Sequence, residues 1–171
     1  APMELVADDE RGLSRRELLG KRLFEDESLS EPPGQACATC HDPARAFGGN
    51  ASAPDDPVAA GARADEVGSR NAPSLLYGRF APPFGVTVEE TPGDGYALAP
   101  HGGLFWDGRA GSLEEQAKLP LLHRTEMANA TAAALVDKVR RGPNATLFAE
   151  VFAGDVRSSA TAVDVAFDQV A

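Results

Sequence analysis

The feature that most constrains this chain is the pentad Cys37-Ala38-Thr39-Cys40-His41. Two thiols three residues apart, followed at once by an imidazole, form the attachment motif of a c-type haem. On one helical turn both thiols can bond the porphyrin vinyl groups, and His41 then lies under the iron as its proximal ligand. The chain contains two cysteines and three histidines, so chance assembly of this motif is improbable. The pentad predicts one covalent haem c, with both cysteines used and no disulfide.

Two other chemistries use similar residues. A Cys-x-x-Cys pair serves as a redox disulfide in thioredoxin-like proteins, where a strand precedes it and a helix follows. Here residues 31–36 read Glu-Pro-Pro-Gly-Gln-Ala, which is typical of a turn-rich loop. A zinc site needs four well-spaced ligands, but His41 adjoins Cys40, and His101 and His123 lack the usual paired spacing. Haem is therefore the favoured interpretation.

Length and composition bound the fold and the partners. The 171 residues fit one domain, or a small domain with an extension. The 17 glycines and 13 prolines predict long loops. The net charge of -10 argues against nucleic acid and anionic membranes and permits a basic partner, although a soluble acidic surface explains it equally well. No apolar run is long enough to span a membrane.

Helical patterns occupy both ends of the chain. The first helix has a capping box in which Ser14 is the N-cap and Glu17 its partner. A last pattern begins near Ser159 or Thr161 and continues to the end of the sequence without a stop signal, so we expect a continuation. The first helix is predicted over 14–24. The other predicted helices are 112–118, which ends before Pro120, 131–141, which ends before Gly142, and 145–153, which ends before Gly154.

Residues 42–104 show little periodicity and many turn formers. So long an irregular stretch is unusual unless it is functional, and a flat apolar haem can act as a core on which loops pack. For residues 50–66 a disordered linker is the alternative, and the stretch 82–99 has no assigned role. The predicted fold is mainly α: a c-type cytochrome domain over 1–171 with long haem-wrapping loops.

A second constellation begins at Gly102–Ala110, which contains the chain's single tryptophan, Trp106. Each member has an ordinary interpretation on its own. Trp106 alone is typical of a core residue, and Arg109 of a surface residue or a partner for a haem propionate. Gln116 alone is an exposed helix residue, and Glu126 an acid before a helix.

Taken together with the pentad, these residues resemble the bacterial di-haem cytochrome c peroxidase family, which includes the MauG-like enzymes. The haem motif occurs in many cytochromes, whereas its combination with Phe-Trp-Asp-Gly-Arg and the later Gln, Pro and Glu is specific. The matching segments, which extend over nearly the whole chain, are Leu19–Phe24 with Leu29-Ser30, Cys37–His41 with Asp42-Pro43 and Ala46-Phe47, Arg70–Leu75, Phe105–Arg109, Glu115–Ala117, Pro120 and Glu126-Met127.

The resemblance implies a two-domain enzyme. In this family the N-terminal haem meets hydrogen peroxide and the C-terminal haem receives electrons. The chain resembles the N-terminal, peroxidatic half. The implied function is haem-dependent reduction of hydrogen peroxide, with electrons from a second c-type haem domain or from a separate cytochrome or cupredoxin. Oxidation of a protein side chain, as in MauG-like members, is the alternative within the family. Covalent haem attachment takes place outside the cytoplasm, so we expect a periplasmic location.

The resemblance also implies roles for single residues. His41 is the proximal ligand of the peroxidatic haem, and Glu126 with Gln116 matches the distal acid–base pair. Trp106 matches the tryptophan that carries electrons between the haems. Asn71 matches a ligand of a calcium ion between the domains, whose other protein ligands come from the second domain. Pro120 matches a residue that packs on the distal face of the haem.

The sequence departs from many family members between the haem motif and Arg70. Many of them keep a second, distal histidine there, and the stretch 42–69 contains none. We therefore expect the sixth iron position to be vacant or water-filled, as in MauG-like members. His101 could ligate instead, but a surface or propionate role is favoured for it, and His123 is expected at the surface.

A mono-haem electron carrier is the competing class. Its iron would be closed by a methionine, and the chain has only Met3 and Met127. Met3 precedes the first helix and Met127 adjoins the candidate catalytic acid, so neither has the loop-borne setting usual for a methionine ligand. The sequence therefore favours the enzyme.

Overall fold

Five helices and one two-stranded sheet form the part of the chain that the computed structural model describes, which is residues 10–50, 55–152, 167, 168 and 170. The mainly helical class is as predicted. Within this part no helix is long and apolar enough to cross a membrane. The elements in chain order are α1 (Arg15–Phe24), α2 (Cys37–Cys40), β1 (Gly85–Thr91), β2 (Gly95–His101), α3 (Leu113–Leu122), α4 (Ala132–Arg141) and α5 (Ala145–Val151).

Helix α1 begins at the predicted capping box. The Glu17 amide donates to Ser14 Oγ at 3.3 Å, and the Ser14 amide donates to Glu17 Oε2 at 2.7 Å. These two bonds satisfy donors that the first helical turn leaves free. The helix buries Leu19 and Leu23, so the apolar stripe read from the sequence is its core face.

Helices α4 and α5 also lie where the sequence predicts them. Thr131 Oγ1 accepts from the Ala134 amide at 3.1 Å and begins α4. The helix ends before Gly142, where a Cβ would lie 2.8 Å from the Lys138 carbonyl oxygen, so the position has room only for glycine. Helix α5 ends at Val151, and its predicted stop Gly154 lies outside the described residues. Of the last predicted segment only 167, 168 and 170 are described, and they are helical.

The four longer helices enclose one hydrophobic core. Burying each large side chain of this kind contributes roughly 1.5–3 kcal/mol. Cys37 packs against the core, so the attachment turn is anchored to the helical body on one side. The core residues are Leu19, Leu23, Leu29, Leu121, Met127, Leu135, Val139 and Phe148.

The prediction that Pro120 ends the third helix is wrong. Helix α3 starts after the predicted N-cap Ser112, whose Oγ accepts from the Glu115 amide at 3.2 Å, but it continues to Leu122. Proline removes only the one backbone bond that its own N–H would have made. The buried side chain of Leu121 and the His123 amide, which donates to Leu119 at 3.0 Å, hold the turn beyond it.

The expectation of an irregular chain over 82–99 is also wrong. Strands β1 and β2 form an antiparallel hairpin in which Val88 pairs with Leu98, and Gly93 and Asp94 take left-handed φ angles of 93° and 60° in the turn. Val88 and Leu98 are 67% and 72% exposed. Neither face is buried in the described structure, so the alternation of polar and apolar residues that marks a half-buried strand is weak here.

The linker alternative for 50–66 does not hold for residues 55–66. The Gly61 amide donates to the Glu66 carbonyl at 2.7 Å, and the Ala62 amide donates to the Glu126 carbonyl at 2.8 Å. A Cβ on Gly61 would lie 2.6 Å from the Thr125 carbonyl oxygen. This loop therefore packs directly against the segment that carries Glu126.

Candidate active site

One cleft collects most of the residues that the sequence singled out. Its empty volume is about 1050 Å³, which includes space open to solvent. Cys37 is the predicted site residue that does not line it, because it packs against the core instead. The predicted site residues that line the cleft are Cys40, His41, Asn71, Trp106, Arg109, Gln116, Pro120 and Glu126.

The attachment turn is a single helical turn, α2, as predicted. The Ala36 amide donates to Thr39 Oγ1 at 3.0 Å, and the His41 amide donates to the Cys37 carbonyl at 2.9 Å. Both cysteines are free thiols. The bonds fix the backbone of the turn and bring Cys40 and His41 to the same cleft.

Both thiols are hard to ionise. Burial, together with the neighbouring thiol, raises the pKa of Cys37 to about 11. Burial, together with the Glu126 carboxylate, raises the pKa of Cys40 to about 11. The redox cysteines of thioredoxin-like proteins have lowered pKa values. The described residues also contain no group of three or more potential metal-ligating side chains. Both observations weigh against the redox-disulfide and zinc alternatives.

The imidazole of His41 is held by a backbone carbonyl. Its Nδ1 lies 2.9 Å from the Phe47 carbonyl oxygen. Because a carbonyl oxygen only accepts, Nδ1 carries the proton and Nε2 is left with its lone pair free for a metal. This is the arrangement by which an outer hydrogen bond fixes the tautomer and the orientation of a ligating histidine.

Glu126 lies half-buried in the loop after α3. Burial raises the pKa of its carboxyl group, while the Arg109 guanidinium, and His123 and His41 when they are protonated, lower that pKa. The Ala62 amide donates to its carbonyl at 2.8 Å, and its own amide donates to the His123 carbonyl at 3.0 Å. A backbone fixed from both sides therefore presents an acid with a raised pKa to the cleft.

Gln116 and Pro120 lie one helical turn apart on α3 and line the same cleft. Residues at i and i+4 share a helix face. The face of α3 that carries them is therefore turned to the cleft, while Leu121 on another face is buried in the core. Taken alone, Gln116 was expected to be an exposed helix residue, but it is half-buried.

Trp106 is not a core residue, contrary to the expectation for a lone tryptophan. It is 62% exposed, and its Nε1 donates to the Asn71 carbonyl at 3.1 Å. It follows Phe105, which has a left-handed φ of 64°. A Cβ on Gly103 would lie 2.4 Å from the Gly108 carbonyl oxygen. The loop can fold back this tightly only because glycine stands at position 103.

Two guanidinium groups line the cleft. Arg109 lies 3.8 Å from the Phe105 ring centroid and donates to Asp107 Oδ1 at 2.9 Å. Arg70 is the second, and sequence reasoning assigned it no role. The signal that pointed to Arg70 was its place at the start of Arg70–Leu75, one of the segments that resemble the family. Arginine pairs well with carboxylates, so both suit the propionates of a haem.

The other two histidines are not among the residues that line the cleft. His101 is exposed at the end of β2 and packs over Gly85, where a Cβ would lie 2.8 Å from its Nε2. His123 is exposed, with Nδ1 3.0 Å from Thr125 Oγ1 and 3.6 Å from Glu126 Oε1. Within the described residues, His41 is the histidine that lines the cleft.

The methionine-closed cytochrome finds no support in the described residues. Met127 is 5% exposed and belongs to the hydrophobic core. Met3 lies outside the described residues. The cleft lining includes no methionine.

The domain is mainly helical and carries a one-turn Cys-x-x-Cys-His helix beside a large cleft. These features are those of a c-type haem domain. The sequence profile of the family described as "Di-haem cytochrome c peroxidase" matches residues 14–170. The chain belongs to this di-haem cytochrome c peroxidase family, and haem c is accordingly its cofactor.

Individual relatives agree with this assignment. The chain is 39% identical over 133 residues to "Methylamine utilization protein MauG" of Paracoccus denitrificans (strain Pd 1222), covering 73% of this chain and 30% of the relative. It is 32% identical over 109 residues to "Cytochrome c551 peroxidase" of Pseudomonas aeruginosa, covering 64% and 24%. The crystal structure of the diheme peroxidase BthA from Burkholderia thailandensis E264 aligns with a TM-score of 0.73 and 41% identity, covering 94% of this chain and 38% of that one. The chain thus spans well under half the length of these relatives.

Proposed function

We propose that this chain is the peroxidatic haem domain of a di-haem enzyme that reduces hydrogen peroxide with electrons from a partner haem or protein. The observation that carries the proposal is the shared cleft. It holds the imidazole of His41 together with the carboxyl group of Glu126 and the amide of Gln116. Peroxide cleavage requires an acid that exchanges protons in the cleft that would hold the haem, whereas an electron carrier does not need one.

The residues present fit one covalent haem c. Cys37 and Cys40 would form the thioether bonds, His41 Nε2 would ligate the iron, and Arg70 and Arg109 would pair with the propionates. When bound, the haem supplies an open coordination position for peroxide and the electrons that break its O–O bond. The long loop over 55–81 and the loop of Trp106 both contribute to the cleft lining, which supports the proposal that these loops wrap the haem.

Glu126 supplies the proton transfer. As a carboxylate it accepts a proton from one peroxide oxygen, and as an acid it returns that proton to the other, which leaves as water. The Gln116 amide orients the peroxide by hydrogen bonding. The complete reaction consumes two electrons and two further protons for each peroxide and yields two waters. Burial of Glu126 raises its pKa towards neutrality and so favours the return of the proton.

The electrons enter from outside the cleft. Trp106 combines exposure with a place in the cleft lining, so we assign it the role of conduit to a second c-type haem domain or to a separate cytochrome or cupredoxin. The acidic chain favours a basic donor. Asn71 is exposed beside this surface and is proposed as one ligand of a calcium ion at a domain interface. Because covalent haem attachment takes place outside the cytoplasm, we propose a periplasmic location.

The far side of the haem is proposed to be vacant or water-filled at rest. The stretch 42–69 has no histidine, and neither His101 nor His123 lines the cleft. Peroxide would then bind without prior displacement of a protein ligand. This distinguishes the chain from family members that keep a distal histidine.

Oxidation of a protein side chain is the second candidate function. The lack of a histidine in 42–69 favours it, as does the 39% identity to a protein named MauG. In that case the electrons come from the oxidised protein rather than from a cytochrome. The two candidates share the cleft and differ in the donor, so turnover of peroxide with a reduced cytochrome separates them.

The substitution Glu126→Gln tests the proton transfer. It keeps the shape of the side chain and removes the ionisable group. In the haem-loaded protein we expect the peroxide reaction to slow by about 10²- to 10⁴-fold, with covalent haem content unchanged. The matched control is Glu89→Gln, at an exposed glutamate on β1, which should retain the parent rate. Stopped-flow absorbance measures the rate, and an unchanged rate in the Glu126 variant would remove that residue from the mechanism.

A further inference from the structure

Residues 72–74 lie against the loop that follows the attachment turn. Ser74 Oγ donates to the Ala46 carbonyl at 2.5 Å, and the Gly49 amide donates to the Ala72 carbonyl at 3.0 Å. A Cβ on Gly48 would lie 3.2 Å from the Ser74 amide nitrogen. Glycine at position 48 therefore lets the two backbones approach closely enough for both bonds to form.

The loop over 46–49, which makes these two hydrogen bonds, is strained. Ala46 and Phe47 have φ angles of 56° and 57°, a left-handed conformation that is unfavourable for residues with a side chain. Such a conformation persists only where the surrounding structure holds it. The Ala46 carbonyl is part of the peptide group that joins Ala46 to Phe47. Rotation of this peptide group about the N–Cα bond of Phe47 changes the φ of Phe47. The hydrogen bond from Ser74 to this carbonyl therefore restrains that angle directly.

The strained loop delivers one functional group. The Phe47 carbonyl is the acceptor for His41 Nδ1 at 2.9 Å, and its direction depends on the backbone angles of Phe47. The Ser74 hydroxyl is itself oriented, because it accepts from the Leu76 amide at 3.1 Å while donating to Ala46. At the other end of this segment, the Asn71 carbonyl accepts from the indole of Trp106.

We propose that Ser74 is a positioning residue for the proximal ligand: by holding the left-handed turn at Ala46-Phe47, it keeps the Phe47 carbonyl aligned on His41 Nδ1–H. The inference rests on the proposed role of His41 as the iron ligand, and it does not depend on peroxide reduction. A firm hydrogen bond to Nδ1–H makes the imidazole a more basic ligand. A more basic ligand stabilises the ferric over the ferrous state, so Ser74 lowers the reduction potential of the haem.

Three variants of the haem-loaded protein test this. Ser74→Ala removes the donor, and Ser74→Thr restores a hydroxyl at the same position. Ser14→Ala is the matched control, because it removes a serine hydrogen bond at the capping box of α1 rather than at the loop that holds His41. The readouts are the reduction potential, the iron–histidine stretching frequency in the ferrous state, and hydrogen exchange of the Phe47 and Gly49 amides.

We expect Ser74→Ala to raise the equilibrium constant for one-electron reduction about two- to tenfold and to speed exchange at both amides about three- to tenfold, as for loss of one hydrogen bond. The iron–histidine frequency should fall, and Ser74→Thr should restore all three values. A Ser74→Ala protein indistinguishable from Ser14→Ala in potential and frequency would overturn the proposal, as would a threonine that fails to restore them. Failure of the proposed function would instead appear in the parent protein, as haem that does not react with peroxide.

Discussion

At the residue scale, the chemistry of this site depends on what surrounds each side chain. Glu126 is half-buried, and that burial is the main cause of its raised pKa. His41 has a free Nε2 because its Nδ1–H is held by a backbone carbonyl. Both properties come from burial and from a backbone hydrogen bond that the folded chain supplies, so the residue types alone do not determine them.

The raised pKa of Glu126 predicts a pH dependence. In the proposed reaction Glu126 acts first as a base, so the ionised form is the active one and we expect the rate to fall as the pH drops through its pKa. Since burial raises that pKa, the fall should be centred above the usual glutamate range of about 4.3. Below the midpoint the rate should decrease roughly tenfold per pH unit.

Stopped-flow rates across the acid range measure this profile in the haem-loaded protein. Glu126→Gln should remove the acid limb, because the amide does not titrate, while Glu89→Gln should keep it. A limb that survives in the Glu126 variant would assign the titration to another group.

The combination of motifs, rather than single residues, predicted most of the side chains that line the cleft, and the limits of that prediction are physical. The pentad specifies its chemistry because thioether attachment requires those residue types at that spacing. Taken alone, Trp106 is typical of a core residue because tryptophan is usually buried, whereas the family resemblance gives it a role in the site. Its loop places it at an exposed position in the cleft lining. Arg70 had no periodic or local signal for its place, which depends on how the irregular loop folds.

At the element scale, helices with caps were predicted accurately and elements without a buried face were not. The Ser14 and Thr131 caps have local hydrogen bonds that the sequence encodes directly. The hairpin of β1 and β2 is exposed on both faces, so burial did not impose alternation on its residues. The prediction that Pro120 ends α3 was wrong because the proline removes one backbone hydrogen bond, and burial of the next residue, Leu121, offsets that loss.

This contrast predicts different effects of matched leucine substitutions. Leu135 on α4 is fully buried in the core, whereas Leu98 on β2 is 72% exposed. We expect Leu135→Ala to lower the free energy of unfolding by about 2–5 kcal/mol, because it leaves a cavity. Leu98→Ala should stay within about 0.5 kcal/mol of the parent.

Denaturant unfolding of the haem-loaded protein measures both values. Equal losses in the two variants would show that the hairpin contributes to the core, contrary to the fold described here. A neutral Leu135→Ala variant would contradict the assignment of α4 to the core.

At the scale of the whole molecule, one helical core supports a cleft built largely from loops. The core anchors the attachment turn through Cys37 and presents one face of α3 to the cleft. Residues 55–81 have little regular structure apart from one short turn of 3₁₀ helix, and they contribute much of the cleft lining. In the proposed haem-loaded protein, these loops would gain apolar contacts from the large flat cofactor between them.

The central claim is that a haem is held by His41 on one side and is open to peroxide on the other. The optical spectrum of the purified haem-loaded protein, recorded before and after addition of one equivalent of hydrogen peroxide, tests it most directly. We predict a Soret band that survives denaturation, a ferric resting state with high-spin character, and rapid spectral change with peroxide. A low-spin resting state with protein ligands on both sides of the iron, unchanged by peroxide, would contradict the account.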